Sequence, residues 1–134
     1  MSAETDIESI IEYNPIAVVG CSRTPGKAAH DVPRFMLEHG YTIVPVNPFA
    51  DEIFGVESFP SLAAVDVDIP LVNVFRPSDE TDEVISIACA REDVEAIWLQ
   101  LGISNGGGKH QANKVGKKYV ENRCLKVEYQ RHYG

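Results

Sequence analysis

Four apolar residues, Ile16-Ala17-Val18-Val19, run without interruption into Gly20. This junction limits the folds open to the chain more than any other stretch. A half-exposed strand alternates apolar and polar residues, whereas an unbroken run of small and β-branched side chains belongs to a strand covered on both faces, as in a parallel sheet. Gly20-Cys21-Ser22-Arg23-Thr24-Pro25-Gly26 follows, a loop of mostly short side chains between two glycines. Its backbone N–H groups can approach a ligand closely. With a helix behind it, such a loop and the helix's amino end form an anion site suited to phosphate or pyrophosphate. Strand, glycine-bearing loop and helix together are the opening unit of a nucleotide-binding α/β domain.

The remaining pattern repeats this alternation. Ile7, Ile10 and Ile11 are spaced for a short amphipathic helix over Thr5–Tyr13, ended by Asn14-Pro15. After the loop, Val32, Phe35, Met36 and Leu37 predict a helix with one apolar face, closed at His39-Gly40. Asp31 is its expected N-cap, with Pro33 in the first turn. A second strand spans Tyr41–Val46, and Pro45 is expected to weaken its pairing toward the carboxyl end. Phe49–Glu57 reads as a loop with Gly55, and Phe59-Pro60-Ser61-Leu62 starts a short helix that runs to about Val65. The third strand is Leu71–Phe75, followed by a helix with Ser78 as cap and Val84, Ile85, Ile87 and Ala88 on its buried side.

Ala96–Leu101 is the fourth strand and Lys118–Val120 the fifth. Between them a helix is expected near Lys109–Val115, its start disfavoured by Gly106-Gly107-Gly108, and Arg123–Tyr133 is the closing helix. The expected fold is therefore α/β: one Rossmann-like, doubly wound domain with a five-stranded parallel sheet flanked by helices, its core over about residues 14–128. In such a sheet, ligands bind outside the carboxyl ends of the strands.

Composition narrows the function classes. The chain has 134 residues, enough for one domain with a real core. No apolar run approaches the roughly 20 residues that span a bilayer, and the acidic, amphipathic amino end does not resemble a signal peptide, so the expected location is cytoplasmic. Cys21, Cys89 and Cys124 lack CxxC spacing, which argues against a zinc site and a disulfide framework. A net charge of −8 disfavours nucleic acid as a partner. It also means that local groups must hold any anionic ligand. His30, His39, His110 and His132 share no metal-binding spacing, and no Ser-His-Asp or Cys-His arrangement is present in the sequence pattern. No catalytic residue and no metal ligand is assigned, and an enzyme acting alone is not expected.

The common nucleotide fingerprints are not met. Ser22 and Pro25 occupy the second and third glycine places of GxGxxG, and no GK[ST] of a P-loop occurs. The end of the second strand, where a dinucleotide fold carries a carboxylate for the ribose, holds Asn47-Pro48, and the nearest acid is Asp51. However, the blocks VVGCSRTPGK, YTIVPVNP, FPSL, NVFRPSDE, WLQLGISN and NRCLKVE follow one another in this order. In that order and spacing the chain resembles the small CoA-binding domain family, which is related to the CoA-binding domain of succinyl-CoA synthetase. The resemblance covers about Asn14–Glu128. It implies a Rossmann-like domain that binds CoA or an acyl-CoA and has no established catalytic activity when it stands alone.

Carried over by position, the resemblance puts the CoA pyrophosphate against Gly20, Cys21, Ser22, Arg23 and Pro25. It puts the adenosine part against Val46, Asn47 and Pro48, with Phe75, Arg76 and Pro77 covering the nucleotide from the other side. Lys27 joins this set as a local cation. The 3′-phosphate of CoA calls for positive charge near the ribose, and Arg23, Lys27, His30 and Arg34 cluster around one loop of an acidic chain.

Each residue also has a plainer reading. Arg23 and Lys27 can be solvated loop charges, Asn47-Pro48 a strand terminator, and Arg76 the partner of Asp79 or Glu80. Cys21 is either a small loop filler or a thiol activated by neighbouring N–H groups. Asp31 would repel a pyrophosphate if it pointed at one. Arg91, on the helix after the third strand, is expected to lie away from the site, so Arg23→Ala should weaken CoA binding more than Arg91→Ala. Two other functions remain open at this point: a nicotinamide-dependent oxidoreductase, or an interaction scaffold that no longer binds nucleotide. A protein partner or homodimer is equally undecided by the sequence.

Overall fold

The computed structural model describes residues 3–133, with side chains from residue 6 onward. Its central sheet has the strands β1 (Ile16–Val19), β2 (Ile43–Val46), β5 (Leu71–Val74), β6 (Ala96–Leu99) and β7 (Lys118–Val120). They lie in the order β2-β1-β5-β6-β7, with every neighbouring pair parallel. A small antiparallel pair, β3 (Glu52–Ile53) and β4 (Val56–Glu57), lies outside it. The five-stranded, doubly wound α/β fold read from the apolar runs is the fold observed. All four residues of each of β1, β2, β5 and β6 are buried, the signature of strands covered on both faces.

Alternate residues of each strand feed two core layers. Ile16, Val18, Leu71 and Trp98 pack with α1 (Ala3–Ile10), α2 (Ala28–Glu38) and α5 (Leu125–Tyr133), through Ile7, Met36 and Leu125 among others. Ala17, Val19, Val72 and Leu99 pack with α3 (Asp82–Ala90) and α4 (Gly106–Lys114), and with the 3-10 turn Leu62–Ala64. Trp98 is wholly buried, and its indole N–H donates to the Arg123 carbonyl at 2.8 Å. The chain leaves β1 toward β2 on one side and returns to β5 on the other. The strand order therefore reverses beside β1, which opens a crevice above the carboxyl ends of β1, β2 and β5.

Several local expectations are corrected. Pro45 does not weaken β2. This is an edge strand, so the missing N–H is harmless there, pairing continues to Val46, and the Pro45 carbonyl accepts from Phe59 N–H at 3.0 Å. Pro33 is the sixth residue of α2 rather than part of its first turn. Its absent N–H leaves the Ala29 carbonyl without a helical donor, and Ser22 N–H fills that place at 3.0 Å. The helix's defect thus becomes a tie to the glycine loop. Asp31 is not the N-cap; Lys27 is, without a side-chain bond, while Asp31 reaches back to Gly26 N–H at 3.1 Å.

Ser78 does not cap α3 either. It begins a 3-10 turn, Ser78–Glu80, and its hydroxyl accepts from Ser104 N–H at 3.0 Å. The 49–57 loop contains the hairpin β3–β4, whose two-residue turn places Phe54 and Gly55 at positive φ, 58° and 76°. Finally, α4 starts three residues before Lys109, at the glycine triplet itself. Asn105 caps it by accepting from Gly108 N–H at 2.8 Å, and a Cβ on Gly108 would stand 2.4 Å from Ile85 Cδ1. Here close helix packing requires the glycine that helix propensity disfavours.

Candidate functional site

The crevice above the sheet is a cleft of about 340 Å³ on the α3 side. Its floor is the strand ends Val19, Gly20 and Val46. Asn47, Pro48 and Phe49 form one wall, Pro60, Ser61 and Leu62 a second, and Arg76, Glu80, Glu83, Val84 and Ile87 the third. Phe49 stands 88% exposed at the lip, an aromatic that nothing among the described residues covers.

The backbone around Gly20 is tightly specified. Gly20 N–H donates to the Val46 carbonyl at 2.9 Å and Phe75 N–H to the Val19 carbonyl at 2.8 Å, tying the three strand ends together. Gly20 has φ +86°, and a Cβ there would lie 3.1 Å from Arg76 Cδ and 3.2 Å from the Phe75 carbonyl oxygen. Only a glycine lets the loop after β5 come this close.

Asn47 turns out to be a strut. Its Nδ2 donates to the Cys21 carbonyl at 2.8 Å and its Oδ1 accepts from Phe49 N–H at 2.7 Å, so it links the loops after β1 and β2 while facing the cleft. Ser22 plays a similar part in the first loop. Its hydroxyl accepts from Thr24 N–H at 3.0 Å, and its carbonyl accepts from His30 Nδ1–H at 2.8 Å. His30 is therefore a buried strut, 7% exposed, and Arg34 pairs with Glu38 at 3.4 Å along α2. Of the four cations expected around the loop, Arg23 and Lys27 are left as exposed side chains at its tip and at the head of α2. Lys27 gives α2 no side-chain cap, and its carbonyl accepts from the His30 and Asp31 N–H groups at 2.9 and 2.8 Å.

The expected site residues divide accordingly. Gly20, Val46, Asn47, Pro48 and Arg76 meet at the cleft. Ser22, Arg23, Pro25 and Lys27 lie along the adjoining loop, and Pro77 is exposed at the head of the 3-10 turn. Cys21 and Phe75 send their side chains into the opposite core layer, against the α2 side of the sheet. Burial pushes the Cys21 thiol up to about 12, overriding the lowering effect of the Ser22 backbone N–H. The activated-thiol reading is thereby corrected. In folded protein at pH 8 we expect peptide mapping after brief iodoacetamide treatment to leave Cys21 unmodified; rapid alkylation there would contradict the burial.

The sequence reading missed Phe49, Pro60, Ser61, Leu62, Glu80 and Glu83 as lining residues. It also placed Val84 and Ile87 in the core, where the structure leaves them half-buried and facing the cleft. Arg76 pairs with Glu80, as its plainer reading had it, yet both line the cleft. Arg91 is not remote in effect. Its guanidinium donates to the carbonyls of Leu62, Val65 and Val67, holding the segment that begins at the cleft wall. It cannot serve as a neutral control for Arg23.

Residues 14–130 match the family described as "CoA binding domain". The chain belongs to this CoA-binding domain family. Its sequence is 34% identical over 128 residues to the uncharacterized protein YneT of Bacillus subtilis (strain 168), taking in 95% of this chain and 94% of that one. It is also 30% identical over 101 residues to an ADP-forming acetate–CoA ligase of Methanocaldococcus jannaschii, covering 75% of this chain but 14% of the ligase. The solved structure of a hypothetical protein from Pyrococcus horikoshii OT3 is similar across 99% of this chain and 94% of that one, with a TM-score of 0.92 and 32% identity. The family expected from the six sequence blocks is thus the family found. Among the described residues, no helix is long and apolar enough to cross a membrane.

Proposed function

We propose that this chain binds CoA or an acyl-CoA and performs no chemical step of its own. The observation that carries the reading is the convergence of the loops after β1, β2 and β5 on one cleft at the point where strand order reverses. In this reading the loop Gly20–Gly26 wraps the pyrophosphate, with Cys21, Ser22 and Pro25 along it and the amino end of α2 behind it. Arg23 and Lys27 neutralise it from the solvent side. Val46, Asn47 and Pro48 bound the adenosine on one side, with the backbone of Phe75 and with Arg76 and Pro77 closing from the other.

The cleft fits such a group. Val19, Val46, Leu62, Val84 and Ile87 offer an apolar bed for a nucleobase, and Phe49 stands free to lie against it. Among the described residues, no cluster of three His, Cys, Asp or Glu side chains could hold a metal. The match to the ligase takes in 14% of that protein, so ligase chemistry is not carried over to this chain. A nicotinamide-dependent oxidoreductase is disfavoured by Asn47: the position of the ribose-binding carboxylate holds an amide already committed to Cys21 and Phe49.

Binding to the folded state alone must raise stability. At a CoA concentration one hundred times Kd, the gain is about 2.7 kcal/mol, and the unfolding midpoint should rise by roughly 5–15 °C. Thermal unfolding with CoA and with NAD at equal concentration checks this. A rise with CoA and little with NAD is expected; no rise with CoA, or an equal rise with both, would reject the proposal.

A further inference from the structure

The cleft has an unusual charge arrangement for a site proposed to take a polyanion. Of its lining residues, Arg76 is the single cation, whereas Glu80 and Glu83 bring two carboxylates. Arg76 lies over the glycine loop, its Cδ beside the space that a Gly20 side chain would fill, so its guanidinium is within reach of any phosphate held there. That guanidinium already donates from Nη2 to Glu80 Oε1, four residues further on in the 3-10 turn. Both side chains are about half exposed, at 45% and 50%.

We propose that Glu80 is an internal competitor for the ligand's phosphate, so that binding exchanges a carboxylate for a phosphate on Arg76. The inference rests on the CoA reading above and deepens it. Carboxylate and phosphate present the same forked pair of oxygens to a guanidinium, and one guanidinium edge cannot serve both at full strength. A half-exposed ion pair is weak enough for a phosphate to displace. Glu80 therefore sets the affinity of the site, and it disfavours ligands without a phosphate able to take its place.

The test is calorimetric titration of CoA into four proteins: the unaltered chain, Glu80→Gln, Arg76→Ala and the double variant. Glu80→Gln keeps the side chain's shape on an exposed turn. It is expected to tighten CoA about fivefold, whereas Arg76→Ala loosens it about tenfold, in the range of single charged contacts. In the Arg76→Ala background, Glu80→Gln is expected to change nothing. Repeating the series with 3′-dephospho-CoA identifies the phosphate. If the fivefold gain persists, Arg76 serves the pyrophosphate; if it vanishes, Arg76 serves the 3′-phosphate. An unchanged affinity in Glu80→Gln, or the same gain with and without Arg76, would overturn the exchange while leaving CoA binding intact. Failure of both the unaltered chain and Glu80→Gln to bind CoA would overturn the functional reading and this inference together.

Discussion

Gly20→Ala is expected to destabilise the protein by about 2–4 kcal/mol and to abolish most CoA binding. Two separate effects add at this position. At φ +86° a Cβ meets its own backbone unfavourably, for about 1–2 kcal/mol. It also meets Arg76 Cδ at 3.1 Å and the Phe75 carbonyl group at 3.2 and 3.3 Å. The arginine stem can move aside, but Phe75 cannot readily do so, because its N–H is bonded to Val19 and the Gly20 N–H to Val46. Relief must come from parting the loops that bound the cleft. Gly26→Ala is the matched control, since it has φ +96° and no atom within 4 Å of the added Cβ. Urea unfolding of the two variants separates dihedral strain from the close approach. Equal losses in both would show that the approach of Phe75 to Gly20 is unimportant.

Arg91→Ala is expected to destabilise the protein by a similar amount, about 2–4 kcal/mol. The guanidinium sits at the carboxyl end of α3 and holds Asp93 through Nε at 3.0 Å and Nη2 at 2.8 Å. Its other donors reach the carbonyls of Leu62, Val65 and Val67 at 2.9–3.1 Å, and Asp93 in turn accepts from Ile69 N–H at 2.9 Å. One ion pair, with side chains 18% and 17% exposed, thus fastens the segment from the cleft wall to the start of β5. Its removal leaves three carbonyls and a carboxylate short of donors. CoA binding should weaken severalfold as well, because Leu62 is part of the wall.

The same clamp has a pH signature. The Arg91 hydrogen bond, first among several causes, holds the Asp93 carboxyl below its ordinary 3.8. A carboxyl depressed by folding contributes stability above its unfolded value, near pH 4, and loses it as pH falls through the folded value. Asp93→Asn should therefore flatten the fall in stability below pH 4. An acid limb as steep as that of the unaltered protein would contradict the role given to this pair.

The sheet was legible because strands buried on both faces read as near-continuous apolar runs: Ile16–Val19 and Ala96–Leu99 are unbroken, and Leu71–Val74 is interrupted only by Asn73. The first loop was legible for the related reason that Gly20 and Gly26 mark where the backbone must turn. What escaped reading depends on contacts distant in sequence. The glycine triplet of α4 is helical because Gly108 packs against Ile85 and Asn105 caps the first turn. Pro33 is tolerated inside α2 because Ser22 supplies the missing donor. Phe54 takes φ 58° in a hairpin that residue preferences alone would not place there. In the site, Glu80 and Glu83 read as acids suited to a helix amino end, and only the fold turns them toward the cleft. The weight carried by Arg91 was hidden for the same reason, since its partners lie 24 to 29 residues earlier.

The central claim is that loop one of this chain holds the phosphates of CoA. The most direct measurement is a calorimetric titration of CoA into the purified protein, into Arg23→Ala and into Lys114→Ala, with Lys114 in the last turn of α4 as a cation outside the cleft. Saturable one-to-one binding by the unaltered protein is expected, with a loss of about three- to tenfold in Arg23→Ala and no change in Lys114→Ala. No heat from the folded, ligand-free protein, or equal losses in the two variants, would contradict it.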